Sequence, residues 1–177
     1  MQLKDYVRLM AAYNCWMNQK IFDACEQLTP DQLSEDKGAF FGSIIGTLNH
    51  IAVGDTLWLQ RFSSGLGTYP ELAPVTELPK PEALSSILFT GLGDLKARRE
   101  LLDGVFQSFT EAVDIKDLLG PVTYTNFKGV TSTKLLFSLL LHVFNHQTHH
   151  RGQVTTLLSQ LGVDVGVTDL VAIIPTM

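Results

Sequence analysis

TSTKLLFSLLLHVFNHQTHHRGQVTTLLSQLG, residues 131–162, decides how this chain is expected to fold. Leu139, Val143, Val154, Leu157 and Leu161 fall on one face at helical spacing, the pattern of a helix with a single buried stripe. The stretch predicts a helix opened by Thr131-Ser132-Thr133 and ended at Gly162, a residue type favoured just past a helix C-terminus. It also holds four of the five histidines of the chain. At about 100° per residue His146 and His150 lie inside the stripe, and His142 and His149 lie on its flank, roughly 80–100° from its centre.

Three further segments carry the same periodicity. Tyr6, Leu9, Met10, Tyr13, Met17, Ile21, Ala24 and Leu28 predict a first helix, broken at Thr29-Pro30. Ser43 is placed as the N-cap of a second helix through Ile44, Leu48, Ile51, Asp55, Trp58 and Phe62, which carries the fifth histidine, His50, and stops in SSGLGTYP. After a connector with four prolines, Leu84, Ile87, Leu88, Leu92, Leu95 and Leu102 predict a third helix, with Gly91 and Gly93 as points of weakness. The alternating, β-branched VTYTNFKGV predicts either a short strand pair or an extended excursion before the last helix. The expected fold is all-α, a four-helix bundle in one domain over residues 1–177.

Composition bounds the function classes. The 177 residues are 45% apolar and 18% charged, the profile of one globular domain. Thirteen basic against eighteen acidic residues give a net charge of −5, and no basic run exceeds Arg98-Arg99, so nucleic acid is not an expected partner. The longest nearly unbroken apolar run, Leu135 to Phe144, is far short of the roughly 20 residues needed to cross a bilayer, and no membrane association is expected. The amino terminus lacks the pattern of a secretory signal, which predicts a cytoplasmic protein. Cys15 and Cys25 lie on one helix roughly 15 Å apart, too far for a disulfide, and read as reduced core residues.

Two imidazoles one turn apart on one helix face can reach a single ion, which makes His146 and His150 a metal clip. His50, on a neighbouring helix with Gly54 leaving room one turn on, is the candidate third ligand. The competing reading is a pair of core histidines satisfied by ordinary hydrogen bonds; two buried imidazoles without partners would be costly, which favours an ion. Other chemistries lack their motifs: there is no H-E-x-x-H, E-x-x-H, C-x-x-C, Walker A or G-x-S-x-G, and no Asp or Glu between Thr131 and Leu161 to bridge two metals. Imidazole suits Zn, Ni, Fe and Cu alike. With reference His pKa values near 6.5, such an ion is expected to leave between roughly pH 6 and 5.

Around the ligands several residues keep two readings. Arg151 is either a clamp for a substrate carboxylate or a surface arginine paired with an acid, and Gln153 and Asn145 either orient a ligand ring or bond between helices. Trp16 and Trp58 suit core packing better than a substrate wall. Asp169 folds back as a partner of a ligand or ends a tail, His142 is the reserve ligand, and His149 is a surface or interface residue.

HVFNHQTHHRGQV with the apolar TTLLSQLG after it and TDL at 168–170, Tyr13-Asn14-x-Trp16-x-Asn18, and FFGSIIGTLNHIAVGDTLWLQRF from Phe40 to Phe62 together resemble the DinB-like (DinB/YfiT) family. The resemblance implies a bundle with up-down-down-up connectivity, one divalent ion (Zn, Ni or Fe) held by His50, His146 and His150, and homodimers. It also implies a small-molecule substrate, with a low-molecular-weight thiol presented to an electrophile by a transferase, isomerase or hydrolase. The DNA-damage induction in the family's name concerns regulation, not contact with DNA. The alternatives are a non-catalytic metal-binding or stress-response module, its ion shell closed by His142, and a plain helical interaction domain.

Overall fold

The computed structural model describes residues 2–67 and 69–176. In chain order it contains α1 (Leu3–Cys25), α2 (Pro30–Ser34), α3 (Ile44–Leu66), a 3-10 turn (Pro70–Leu72), α4 (Ala73–Thr76), α5 (Leu92–Ala112), α6 (Ile115–Leu118), β1 (Pro121–Thr125), β2 (Thr131–Leu135), α7 (Leu136–Gln160) and a 3-10 turn (Leu170–Ile173). The four long helices, α1, α3, α5 and α7, form the bundle.

Their directions follow from which ends meet. Lys96 near the start of α5 pairs with Asp23 and Glu26 at the end of α1, and Arg8 near the start of α1 pairs with Glu111 near the end of α5, so α1 and α5 are antiparallel. Tyr6 packs on Phe137 and Tyr13 under Arg151, which makes α1 and α7 parallel. Asp55 with Arg99 and Phe62 with Phe109 make α3 and α5 parallel. His50 meets His146 while Trp58 meets His142, so α3 and α7 are antiparallel. The result is the up-down-down-up bundle. Its exposed ion pairs report geometry and add little stability.

The core is apolar and contributed by all four helices, with Ile21, Ile51, Phe62, Phe106, Phe109 and Phe144 among the fully enclosed side chains. Ser43 is the N-cap of α3, its hydroxyl accepting from the Gly46 amide, and Gly162 lies past the end of α7 at φ +78°. From Ile44 to Leu57 every residue of α3 is buried, because the 79–91 loop and the β1–β2 hairpin cover the side of this helix turned away from the bundle. Among the described residues no helix is long and apolar enough to cross a membrane.

Two boundaries differ from the sequence pattern. The third long helix begins at Leu92, not Leu84; Gly91 is its N-cap, and Leu84 and Ile87 are more than half exposed in the preceding loop. Asn49 explains the difference: its buried amide accepts from the backbone N–H of Leu88 and Phe89 and donates to the Phe89 carbonyl, satisfying three groups a helix would have paired internally. Thr131-Ser132-Thr133 opens no helix. It is strand, paired antiparallel with β1 in the register Thr123↔Thr133 and Thr125↔Thr131, and α7 starts at Leu136. β-Branched residues pack well on a pleated surface, and the threonine hydroxyls bond across the strands at 2.8 and 3.0 Å.

Candidate metal centre

His50, His146 and His150 converge where α3 and α7 run side by side, each offering one ring nitrogen within 4.8 Å of the others. The ring centroids lie 4.9, 4.4 and 4.5 Å apart for the pairs 50–146, 146–150 and 50–150. His50 and His150 are buried and His146 is half-buried.

The outer nitrogens are held by protein oxygens. Nδ1–H of His50 donates to the Leu84 carbonyl at 2.8 Å, and Nδ1–H of His150 to Gln153 Oε1 at 2.8 Å. Each bond selects the tautomer that leaves Nε2 with a free lone pair, the arrangement in which second partners orient metal-ligating imidazoles. His50 Nε2 and His146 Nε2 are 2.9 Å apart. Two lone pairs approach that closely only with a proton or a cation between them. Ligands at the usual Zn–N distance of about 2.0–2.1 Å in a tetrahedron lie about 3.3 Å from one another, a few tenths of an ångström from the spacing of that pair, and all three donors lie within 4.8 Å of one another. The donor set therefore fits one divalent ion.

Two glycines make the convergence possible. A Cβ at Gly54 would lie 3.0 Å from Cε1 of His146, and one at Gly46 would lie 2.2 Å from the Phe41 carbonyl oxygen. Gly46 thus admits the loop that stacks Phe41 on His50 at 3.8 Å between ring centroids, with its edge toward His150. Gly54→Val should push the His146 ring aside: metal affinity is expected to fall at least tenfold in a chelator competition, while the helix, relieved of an interior glycine, melts no earlier.

The environment keeps the imidazoles neutral. Burial, followed by the neighbouring histidines, pushes His146 down to about 3. Burial also lowers His50 and His150, against the opposing pull of their Leu84 and Gln153 hydrogen bonds, and lowers His142, beside which the Arg61 charge acts in the same direction.

The other residues singled out in the sequence fall variously. Gln153 orients His150. His142 lies outside the three-histidine group, its ring set edge-on against Trp58 at 5.3 Å. His149 is exposed at the cavity rim and accepts from the Gln153 amide at 3.4 Å. Asn145 and Asp169 are exposed, and the segment before Asp169 is tied to α1 by Tyr13 donating to the Thr168 carbonyl at 2.6 Å. Trp16 and Trp58 are half-buried, the second forming a cavity wall. Arg151 is neither a substrate clamp nor a surface residue: it is buried in the bundle, donating to Gln147 Oε1 at 3.0 Å. Three contributors gave no sequence signal. The Leu84 carbonyl sits in a loop that imitates a helix pattern, Phe41 lies outside periodic structure, and Gln147 is a polar residue hidden inside an apolar helix.

An up-down-down-up bundle with three imidazoles from two antiparallel helices converging at a cavity defines a class of helical bundles with a candidate metal centre. The model of the DinB family matches residues 1–175, and the chain belongs to that family. It is 26% identical over 168 residues to Protein DinB of Bacillus subtilis (strain 168), covering 94% of this chain and 92% of that one. It is 27% identical over 149 residues to the uncharacterized protein YizA of the same organism, covering 84% of each. A crystal structure of a DinB-like protein from Bacillus cereus ATCC 10987 shares the fold, with a TM-score of 0.58, 22% identity, and coverage of 88% of this chain and 91% of that one.

Proposed function

We propose that this chain is a metal-dependent enzyme in which His50, His146 and His150 hold one divalent ion and the adjoining cavity brings a low-molecular-weight thiol, or water, to a small electrophilic substrate. One observation carries the reading: three imidazoles, two of them oriented by protein oxygens, meet at the wall of a cavity of about 730 Å³, with His142 outside the group. A divalent ion with three protein ligands keeps a position for an exchangeable group and draws the pKa of a coordinated water or thiol toward or below neutrality. The chain's own residues do the rest. Leu84 and Gln153 fix the rings of His50 and His150, while Phe40 and Phe41 give the cavity an apolar wall. Transfer, isomerisation or hydrolysis would then follow from the electrophile admitted. A cytoplasmic homodimer is part of the same reading.

Thermal melts of chelated and metal-loaded protein provide the test. An ion bound only by the folded chain at 100 times its Kd adds about 2.7 kcal/mol, worth about 5–10 °C in a domain of this size. The chelated chain is expected to stay folded on its apolar core, and identical melts at pH 7.5 would remove the ion from the reading.

Acidity refines the expectation. Each ligand has a folded pKa below the unfolded value, so the unfolded chain takes up more protons once pH drops under about 6.5. The stability these histidines add is therefore complete above that pH and declines toward their folded values, about 3 for His146. Protons compete correspondingly weakly for the ligands. Metal is expected to leave at a lower pH than ordinary imidazoles would give. Release already complete at pH 5.5 in an equilibrium dialysis would contradict this.

A further inference from the structure

We propose that Arg61, together with Lys128 on the hairpin, forms a carboxylate-binding subsite at the far end of a second cavity that opens on the same histidines. This inference deepens the reading above, because it names the chemical class of the molecule the metal centre would take.

The second cavity, about 390 Å³, is lined by His50, His142 and His146, by Trp58 and Arg61 further along α3, and by Tyr124 and Lys128 of the hairpin. No Asp or Glu lines it, although the chain carries a net charge of −5. Among the described residues no ion pair or hydrogen bond is recorded for Arg61, whereas the other two interior arginines, Arg99 and Arg151, are held by protein oxygens. The Arg61 guanidinium lies instead against two rings, 4.6 Å from the centre of Trp58 and 5.1 Å from that of Tyr124. Stacking positions the planar fork and leaves its N–H edge unused, the geometry that grips a carboxylate through two parallel bonds. Burial lowers the Arg61 pKa, a sign that the cation has given up hydration without a counter-charge in return.

Placement links the subsite to the histidines. Arg61 is eleven residues beyond His50, three turns along α3 and within about 20° of the same face, and a helical side chain leans toward the N-terminus, here toward His50. The two backbone positions are offset by about 16 Å along the axis, and since both side chains lean the same way only the longer reach of the arginine shortens the gap. A molecule reaching both ends is elongated, with a metal-binding group such as a thiol at one end and a carboxylate at the other. Tyr124 and Lys128 come from the β1–β2 hairpin and the turn that joins its strands, which gives this excursion from the bundle a role in choosing substrate.

The experiment compares 6-mercaptohexanoate with 6-mercaptohexanol on zinc-loaded protein by calorimetry, and follows the Arg61 Nε–H signal by NMR as hexanoate is added to the protein as purified. The acid is expected to bind at least about tenfold tighter than the alcohol, in keeping with a charge-assisted contact. Arg61→Gln should erase that preference while leaving zinc content and 6-mercaptohexanol affinity in place, and hexanoate should move the Arg61 signal. Equal affinities for acid and alcohol, or a preference that survives Arg61→Gln, would overturn the subsite. If neither thiol binds because the protein takes up no zinc, the metal reading fails alone, and the hexanoate titration still decides the subsite: an unmoved Arg61 signal refutes it.

Discussion

His146→Ala or His150→Ala is expected to abolish stoichiometric binding of a divalent ion, and His149→Ala to leave it intact. His50→Ala should match the first two, since its Nε2 stands 2.9 Å from that of His146 and the three donors span no more than 4.8 Å. Removing one ligand of three leaves two imidazoles and solvent, whereas His149 is exposed and meets the centre from outside, edge-on to the His150 ring at 4.8 Å and bonded to Gln153. Gln153→Leu belongs between these outcomes. It frees the His150 ring without deleting it, and loss of such an orienting partner costs roughly 10- to 100-fold in affinity. Elemental analysis after dialysis against a chelator of graded strength separates the three levels. Equal loss in all five variants would mean that the histidines matter to folding and not to an ion.

The three-histidine cluster was legible because a helix makes it so. His146 and His150 are four residues apart, neighbours on any α-helix, and the period of the surrounding leucines and valines fixes the face they occupy. His50 followed from the only other histidine lying on a candidate neighbouring helix. The direction of each helix could not be read from periodicity, which is blind to polarity along an axis; that came with the family resemblance, and the pairs Lys96–Asp23 and Trp58–His142 establish it here. The start of the third helix was obscured for a physical reason. Leu84, Ile87 and Leu88 sit at helical intervals, and only the Asn49 side chain, forty residues away, holds their backbone in another shape. Buried charges were equally hidden. Arg99, Asp103 and Arg151 occupy interior positions that a binary pattern assigns to solvent, Asp55 stands at a stripe position as a charge, and all four are tolerated because each finds its partner on another helix or one turn away.

That interior cluster supports the second large expected effect: Arg99→Met should destabilise the fold by about 3–5 kcal/mol. Arg99 pairs with Asp55 across to α3, and its Nη2 lies 3.1 Å from Asp103 Oδ1 within α5. Asn18 of α1 donates to Asp103 at 2.9 Å, while Gln147 of α7 donates to Asp55 at 2.9 Å and accepts from Arg151 at 3.0 Å, so one connected group ties all four long helices. Two carboxylates and two guanidinium groups balance in charge; without Arg99, Arg151 alone faces two buried acids. Burial already pushes Asp55 and Asp103 above the usual carboxylate range, with Arg99 holding both back, and its loss should let them rise further. An acid with a raised folded pKa keeps a proton that the unfolded chain has lost, so the variant's stability should fall as pH rises above about 4. Urea unfolding at pH 5 and pH 8 measures this, with the larger deficit expected at pH 8. Replacing Asp55, Arg99 and Asp103 together by Leu, Met and Leu should recover part of the loss, because the two acids no longer lack a counter-charge, while Arg151, left bonded to the neutral Gln147, keeps the recovery incomplete. The consequence for the site separates stability from alignment. Asp55 and Gln147 follow Gly54 and His146 directly in sequence, and their hydrogen bond sets the register in which His50 meets its two partners. The apolar triple variant, though refolded, should bind metal more weakly than the parent, and parental affinity in that variant would show that packing alone aligns α3 with α7.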